Sequence, residues 1–318
     1  MLRVWTLAGL LLVAAASAQA ALLVYEPFDY PQGILPGQTA TGLSLAGSYA
    51  SGSAVPDSLE LRVASPSLGY GGLVGAPSFS GGRLSQNLGT TAASAVAALA
   101  SPVSIAPDTS IFFSALFLFD DSLNGNHFAR IDLLNQGNGD VLSFGESAVG
   151  AMAVTVSADT AATGANGVSA GADSSFTNGQ VLFLVGRYQN GLAAQGDRLD
   201  LVGYETNALT RLPATFDPTD PAAQFRFSVA NADIDLARID AVRFAIRGGA
   251  NNFVDELRVG TSYGDVVPEP GAAPLLLAGL IGLSARACAG TRRARSCPPG
   301  SPRRARDPRR EAARARRR

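Results

Sequence analysis

The chain has no lysine, one histidine and two cysteines among its 318 residues, and these shortages exclude several kinds of site. Both cysteines, Cys288 and Cys297, lie near the C-terminal end, so residues 21–267 hold neither a disulfide framework nor a cysteine metal site. Phosphate-binding loops need a lysine after their glycines, which the glycine-rich residues 69–75 lack. His127 follows the turn signal Asn124-Gly125 and is expected to be a solvated turn residue rather than part of a hydrolase triad.

Charge is distributed unevenly along the chain, although the total is only −1. Residues 21–267 contain 23 acidic residues and 11 arginines, a net charge of −12. Residues 286–318 contain 13 arginines and two acidic residues, a net charge of +11. The larger segment is therefore expected to be a soluble acidic domain, and nucleic acid is not an expected partner.

The first 20 residues have the pattern of a secretory signal peptide. Arg3 gives a positive start, residues 7–16 form an apolar stretch, and Ala18 and Ala20 flank a small-residue cleavage site. Cleavage there predicts a mature protein that begins at Ala21. The alternative, an uncleaved anchor helix, is disfavoured because the run is short for a membrane span.

A second apolar run, residues 271–285, lies near the other end of the chain. As a helix it would be roughly 22 Å long, against a hydrocarbon core of about 30 Å. Local bilayer thinning and extension of the helix to about residue 290 would let it span. The arginines after it would hold that end in the cytoplasm, with the acidic domain outside. A buried core helix is the alternative, but 13 following arginines could not enter a fold with it.

The segment Val267-Pro268-Glu269-Pro270, the apolar run and the basic pair Arg292 and Arg293 together resemble the PEP-CTERM sorting signal of Gram-negative bacteria. The resemblance covers residues 266–295. It implies recognition by exosortase, a membrane-embedded transpeptidase that cleaves near the Pro-Glu-Pro, and a membrane anchor that is transient. Unlike most such signals, this one is followed by a further segment, residues 296–318, which is rich in proline and arginine and is expected to be disordered.

Between the two ends, short apolar or alternating segments are separated by turn signals such as Asn124-Gly125 and Asn178-Gly179. This pattern predicts an all-β sandwich or barrel. The predicted strands are 22–28, 59–63, 110–119, 128–134, 141–144, 151–157, 181–188, 199–204, 225–229, 239–246 and 253–259. The alanine-rich residues 91–100 are expected to form a helical turn.

The edges of this domain carry a second resemblance. Residues 23–30, Leu-Val-Tyr-Glu-Pro-Phe-Asp-Tyr, and residues 254–263, Val-Asp-Glu-Leu-Arg-Val-Gly-Thr-Ser-Tyr, resemble the first and last strands of concanavalin A-like (laminin-G-like) jelly-roll domains of exported bacterial proteins. The resemblance implies a jelly-roll β-sandwich whose terminal strands lie near one another. Because that fold hosts lectins, glucanases and inert spacers, it does not select a function.

Two patterns bear on chemistry. Asp120, Ser122 and Asn124, followed by a glycine, begin like a calcium-binding loop, and Asp132 and Asp140 could complete an irregular oxygen cage, although position twelve is Ile131. An acidic hairpin turn is the plainer interpretation.

Glycoside hydrolysis needs two carboxyl groups on one face. The segment Asp233-Ile234-Asp235 lacks the glutamates of jelly-roll glucanases, and the adjacent Asp255 and Glu256 are expected to point to opposite faces of a strand.

The sequence therefore predicts an exported β-sandwich, residues 21–265, with a sorting signal at 266–295 and no enzymatic activity. The leading functional hypothesis is a surface or extracellular-matrix protein, structural or associated with exopolysaccharide. The alternatives are a lectin-like carbohydrate-binding module, with calcium as its one possible cofactor, and a divergent glycoside hydrolase.

Overall fold

The computed structural model describes residues 21–70, 81–87, 91–119, 128–137, 139, 141–146, 152–157, 179–191, 196–209, 211–232, 236–247 and 252–267, with the backbone alone for residues 152–157, 229, 231 and 232. The predicted signal peptide and transmembrane segment lie outside these residues. Within them, no helix is both long enough and apolar enough to cross a membrane.

Strands account for most of the described chain. They are β1 (Leu22–Glu26), β2 (Gly33–Ile34), β3 (Leu45–Ser51), β4 (Leu61–Ala64), β5 (Arg83–Gln86), β6 (Ala93–Ser104), β7 (Thr109–Leu118), β8 (Phe128–Leu134), β9 (Val141–Glu146), β10 (Met152–Ser157), β11 (Val181–Asn190), β12 (Asp197–Glu205), β13 (Phe225–Ala232), β14 (Arg238–Arg247) and β15 (Phe253–Gly260). One short helix, α1 (Tyr263–Val266), follows β15, and a 3-10 turn occupies Asp57–Leu59.

These strands form two antiparallel sheets in the described part of the chain. The larger has nine strands, in the order β13-β12-β11-β7-β15-β5-β4-β2 with β1 also paired to β15. The smaller has six, in the order β10-β9-β8-β14-β6-β3. All eleven predicted strands are present, with ends that differ from the prediction by three residues at most. The expectation of an all-β antiparallel fold is confirmed.

The alanine-rich residues 91–100 do not form the helical turn that we expected; they belong to β6. Ala93, Ala95 and Ala97 alternate with more polar or exposed positions and are fully buried. β6 lies between β14 and β3, and its small inward side chains suit the period-two burial of a sheet. Tertiary packing therefore overrides the helix propensity of alanine.

The main core fills the space between the inner faces of the two sheets. Phe113 of β7 contacts Phe144 of β9, with ring centroids 4.6 Å apart, and Phe28 contacts Phe244 of β14 at 5.0 Å. Gly186 of β11 makes room for Phe113, since a Cβ there would lie 2.2 Å from that ring. The two sheets therefore pack face to face as a sandwich.

A second apolar cluster covers part of the outer face of the nine-stranded sheet. It joins Phe183 of β11 and Val202 of β12 to Tyr263 and Val266 of α1. The segment 211–224, which we call the cover segment, adds Leu212 and Phe216. This outer face is thus divided into a covered part and a part that remains more open.

The first and last strands are direct neighbours. β1 and β15 pair antiparallel, with Leu22 opposite Gly260 and Glu26 opposite Leu257. The Ala21 backbone amide also donates a hydrogen bond to Oγ1 of Thr261 at 3.2 Å. The expectation that the terminal strands lie near one another is confirmed.

Candidate functional site

Most of the sequence-predicted site residues lie outside the described residues. These are Ala18, Ala20, Asp120, Ser122, Asn124, His127, Asp140, Asp233, Ile234, Asp235, Pro268, Glu269, Pro270, Arg292 and Arg293. Val267 is described: its amide donates to the Tyr263 carbonyl and ends α1. The signal-cleavage and sorting residues therefore remain predictions from sequence.

Asp132 is the one described member of the predicted calcium set, and two arginine side chains pair with its carboxylate. Its carboxylate accepts from Arg243 at 2.6 Å and from the Ser143 hydroxyl at 2.5 Å, and Arg130 lies 3.3 Å away. Asp132 is fully buried. Two guanidinium groups already neutralise this carboxylate, which disfavours a further cation there. Among the described residues no group of three or more acidic, histidine or cysteine side chains could hold a metal ion.

A group of buried acidic side chains on β15 is the next candidate site. It lies where one side of β15 stops pairing with β5 and begins to pair with β1. Val254 pairs with Leu84 of β5, whereas residues 257–260 pair with β1. Glu256 sits between these two stretches at a β-bulge, with a φ of +56°. Glu26 of β1 and the adjacent Asp255 and Glu256 of β15 lie on these neighbouring strands, and none is exposed to solvent. We call these three residues the acidic junction.

Glu26 accepts three hydrogen bonds inside the sandwich. Its Oε1 accepts from the Phe28 amide at 2.7 Å, and its Oε2 accepts from the Tyr30 and Tyr49 hydroxyls at 2.6 Å each. Phe28 has a φ of +53°, so the chain turns sharply after β1. Glu26 therefore ties this turn to β3, which carries Tyr49.

Asp255 and Glu256 do not point to opposite faces, and that expectation was wrong. Oδ2 of Asp255 accepts from the Ser67 hydroxyl and the Leu68 amide, at 2.5 and 2.7 Å. Glu256 accepts from the Tyr25 hydroxyl at 3.0 Å and from Arg258 at 3.2 Å, both on the outer side of the sheet. The bulge adds a residue and breaks the alternation, so both carboxylates lie on the outer side.

These carboxylates are positioned to organise the fold rather than to catalyse. All three are at 0 % exposure, and the donors that surround them come from neighbouring strands and turns. Arg258, which pairs with Glu256, also lies over the Tyr25 ring at 4.9 Å. A general acid or nucleophile must reach a substrate, whereas these carboxylates are buried and accept hydrogen bonds from the described protein donors.

Burial raises the pKa of each acid in the junction. For Glu26 the hydrogen bonds from Tyr30 and Tyr49 oppose that effect, and for Glu256 the Arg258 charge does. The pKa of Asp255 is well above its ordinary value, mainly because of burial. Unfolded carboxyl groups titrate at about pH 4. The stabilisation that these groups provide is therefore complete below about pH 4 and is lost as the pH rises through the folded-state pKa values.

An open groove of about 740 Å³ lies near the other end of β1. Its apolar lining includes Leu22, Leu23 and Ile111. Its hydroxyl-bearing lining residues are Ser44, Ser101, Ser104, Thr109, Ser110 and Thr261. Because none of the described lining residues is charged or aromatic, the groove suits a neutral polar ligand better than an ion.

No protein-family model matches the chain, and no curated protein sequence is similar to it. Lectin II from Ulex europaeus is 13 % identical, with a TM-score of 0.39, over 75 % of this chain and 98 % of that one. An endo-β-1,4-glucuronan lyase from the fungus Trichoderma reesei is 11 % identical, with a TM-score of 0.42, over 78 % and 99 %. The T. cruzi calreticulin globular domain is 10 % identical, with a TM-score of 0.40, over 85 % and 98 %. These values are too low to transfer a ligand or an activity.

Proposed function

We propose that the chain is an exported surface or extracellular-matrix protein with a concanavalin A-like jelly-roll body. A PEP-CTERM signal sorts it, and an exosortase-type transpeptidase of a Gram-negative bacterium removes its transient membrane anchor. Its role is structural or associated with exopolysaccharide. The sequence motifs at the two ends of the chain carry the sorting part of this proposal.

The observation that supports it best is the pairing of β1 with β15. β1 begins one residue after the expected mature start at Ala21, and α1 ends at Val266, just before the Pro-Glu-Pro segment. β1 and β15 therefore place the two ends of the described chain, Ala21 and Val267, at neighbouring strands of one sheet. A body with neighbouring ends suits removal of both terminal segments.

Replacing Glu269 with alanine tests the sorting role in a host with an intact exosortase. We expect the variant to remain unprocessed in the membrane fraction, because the central residue of the recognised motif is lost. Glu311→Ala, which removes an acid from the far tail, is the matched control and should be processed normally. Normal surface delivery of the Glu269 variant would contradict the proposal.

The hydroxyl-lined groove supports a second candidate, a lectin-like module for neutral sugars, because hydroxyl groups both donate to and accept from sugar hydroxyls. A glycan array of the body with and without calcium tests it, and a blank array in both conditions excludes it. A divergent hydrolase receives less support, since Asp255 and Glu256 are both fully buried.

A further inference from the structure

A buried aspartate on the outer face of the nine-stranded sheet holds two arginines at the surface. Asp200 of β12 is fully buried. Its Oδ2 accepts from both Nε and Nη2 of Arg187, at 3.1 and 2.6 Å. Nε of Arg198 donates to the same carboxylate at 3.0 Å, and the Ser228 hydroxyl donates to Oδ1 at 2.6 Å. One carboxylate thus fixes two guanidinium groups, which leaves one net positive charge.

Both arginines still have N–H groups that can donate hydrogen bonds to a ligand. The Arg187 and Arg198 side chains are 26 % and 42 % exposed. Within the described residues, Nη1 of each makes no hydrogen bond. Since Asp200 occupies the inner edge of both guanidinium groups, their orientation is set before any ligand binds, which lowers the entropic cost of binding.

Neighbouring side chains extend this surface across four strands. The register places Ser228, Asp200, Arg187 and Phe112 in one row on β13, β12, β11 and β7. Four strands span about 14 Å at their usual spacing. The next row on the same face carries Arg198, Gln189 and Ser110.

Phe112, at the end of the first row, forms an aromatic pair with a residue of the cover segment. Phe216 of the cover segment packs edge-on against Phe112, with centroids 5.7 Å apart, and lies 5.5 Å from the Arg187 guanidinium carbon. Neither ring is fully buried. The surface therefore combines fixed positive charge, hydroxyl and amide groups, and aromatic carbon. We call it the arginine face.

A similar cluster on the other sheet shows what is specific to this face. Asp132 is also flanked by two arginines and a serine, but the Arg130 and Arg243 side chains are only 18 % and 16 % exposed. That cluster serves mainly to neutralise a buried carboxylate. In the arginine face the cations reach solvent.

We propose that the arginine face binds carboxylate groups of an acidic polysaccharide. Planar guanidinium donors match carboxylates, while the serine, glutamine and phenylalanine side chains suit sugar hydroxyls and ring carbons. Because the body has a net charge of −12, contact with an acidic polymer requires a local positive surface, and the arginine face supplies one. The inference rests on the proposed association with exopolysaccharide and names the class of polymer.

A lipid surface fits the arginine face less well. Membrane-surface binding usually adds inserted apolar side chains to basic ones. Among the described residues the large apolar side chain that is exposed is Leu43, at 48 %, and it lies outside the arginine face. The test nevertheless includes a lipid arm.

The experiment measures retention of the body, residues 21–267, on immobilised polygalacturonate and on neutral dextran. This segment contains every residue of the described apolar clusters. We expect retention on polygalacturonate that falls with added salt, and a weakening of about tenfold in Arg198→Gln, since one charge-assisted hydrogen bond is lost. Asp200 keeps Arg187 and Ser228 in that variant, so the fold should be retained.

Arg238→Gln is the matched control. Arg238 is 52 % exposed and pairs with Asp240 two residues later on β14, as Arg198 pairs with Asp200, but it belongs to the other sheet. The Arg238→Gln variant should bind polygalacturonate as tightly as the unmodified body does. The inference is overturned if the body prefers dextran or binds neither polymer, if both variants weaken equally, or if phosphatidylglycerol vesicles bind more tightly than polygalacturonate.

The two proposals fail in different ways. Loss of polygalacturonate binding alongside normal Glu269-dependent delivery would overturn the arginine face and leave the sorting function intact. Glu269-independent delivery would overturn the sorting function whatever the glycan result.

Discussion

Glu26→Ala is expected to lower the free energy of unfolding of the body by about 3 kcal/mol or more. The substitution leaves the Phe28 amide and the Tyr30 and Tyr49 hydroxyls without their acceptor in the sandwich. A buried donor without a partner costs about 1–3 kcal/mol, and all three would lose theirs together. Urea-induced unfolding followed by circular dichroism measures the change.

Glu26→Gln is the control for this prediction, because it keeps an acceptor oxygen at the same place and removes the titratable proton. It should lose less stability than the alanine variant. The unmodified body should become more stable as the pH falls from neutrality toward the ordinary carboxyl value of about 4, with a shallower dependence in Glu26→Gln, since burial raises the folded-state pKa of Glu26. A body that is equally stable across that range would contradict the assignment of the acidic junction.

Phe244→Ala is expected to cost about 3–5 kcal/mol, a large share of the 5–15 kcal/mol that stabilises an ordinary domain. Phe244 is fully buried on β14, and its ring centroid lies 5.0 Å from that of Phe28 and 6.3 Å from that of Tyr49. Its removal opens a cavity between the two sheets, next to the turn that Glu26 holds. The midpoint of urea unfolding should fall with an unchanged slope.

Leu43→Ala provides the comparison for the core substitution. Leu43 is 48 % exposed, so the same kind of truncation should change stability by no more than about 0.5 kcal/mol. If Leu43→Ala and Phe244→Ala destabilise the body equally, Phe244 does not join the two sheets as described.

Strands with strong apolar character could be predicted from the sequence, and weaker ones could not. β7, β8 and β11 combine β-branched or aromatic residues with turn signals at their ends, which single-sequence patterns detect well. β6 was missed because alanine favours helices locally, and only pairing with β14 and β3 makes it a strand. β2 has two residues, too few for any period to be visible.

The geometry of the acidic junction and of the arginine face could not be predicted from the spacing of residues in the sequence. Adjacent acids in a strand usually alternate, and the bulge at Glu256 that removes this alternation arises where β15 changes partner. The arginine face had a sequence signal, Arg198-Leu199-Asp200, which recurs as Arg130-Ile131-Asp132 and Arg238-Ile239-Asp240. The register gives a second arginine to both Asp200 and Asp132, and the side-chain exposures show that the arginines at Asp200 are the more exposed.

The central proposal is an exported body from which both ends have been removed, and the intact mass of the protein recovered from the cell surface tests it most directly. We expect a chain that begins at Ala21 and ends within or close to the Pro268-Glu269-Pro270 segment. Such a chain lacks Cys288, Cys297 and the 13 arginines of residues 286–318. A surface protein whose mass includes residues 271–318, or that still carries residues 1–20, would contradict the account.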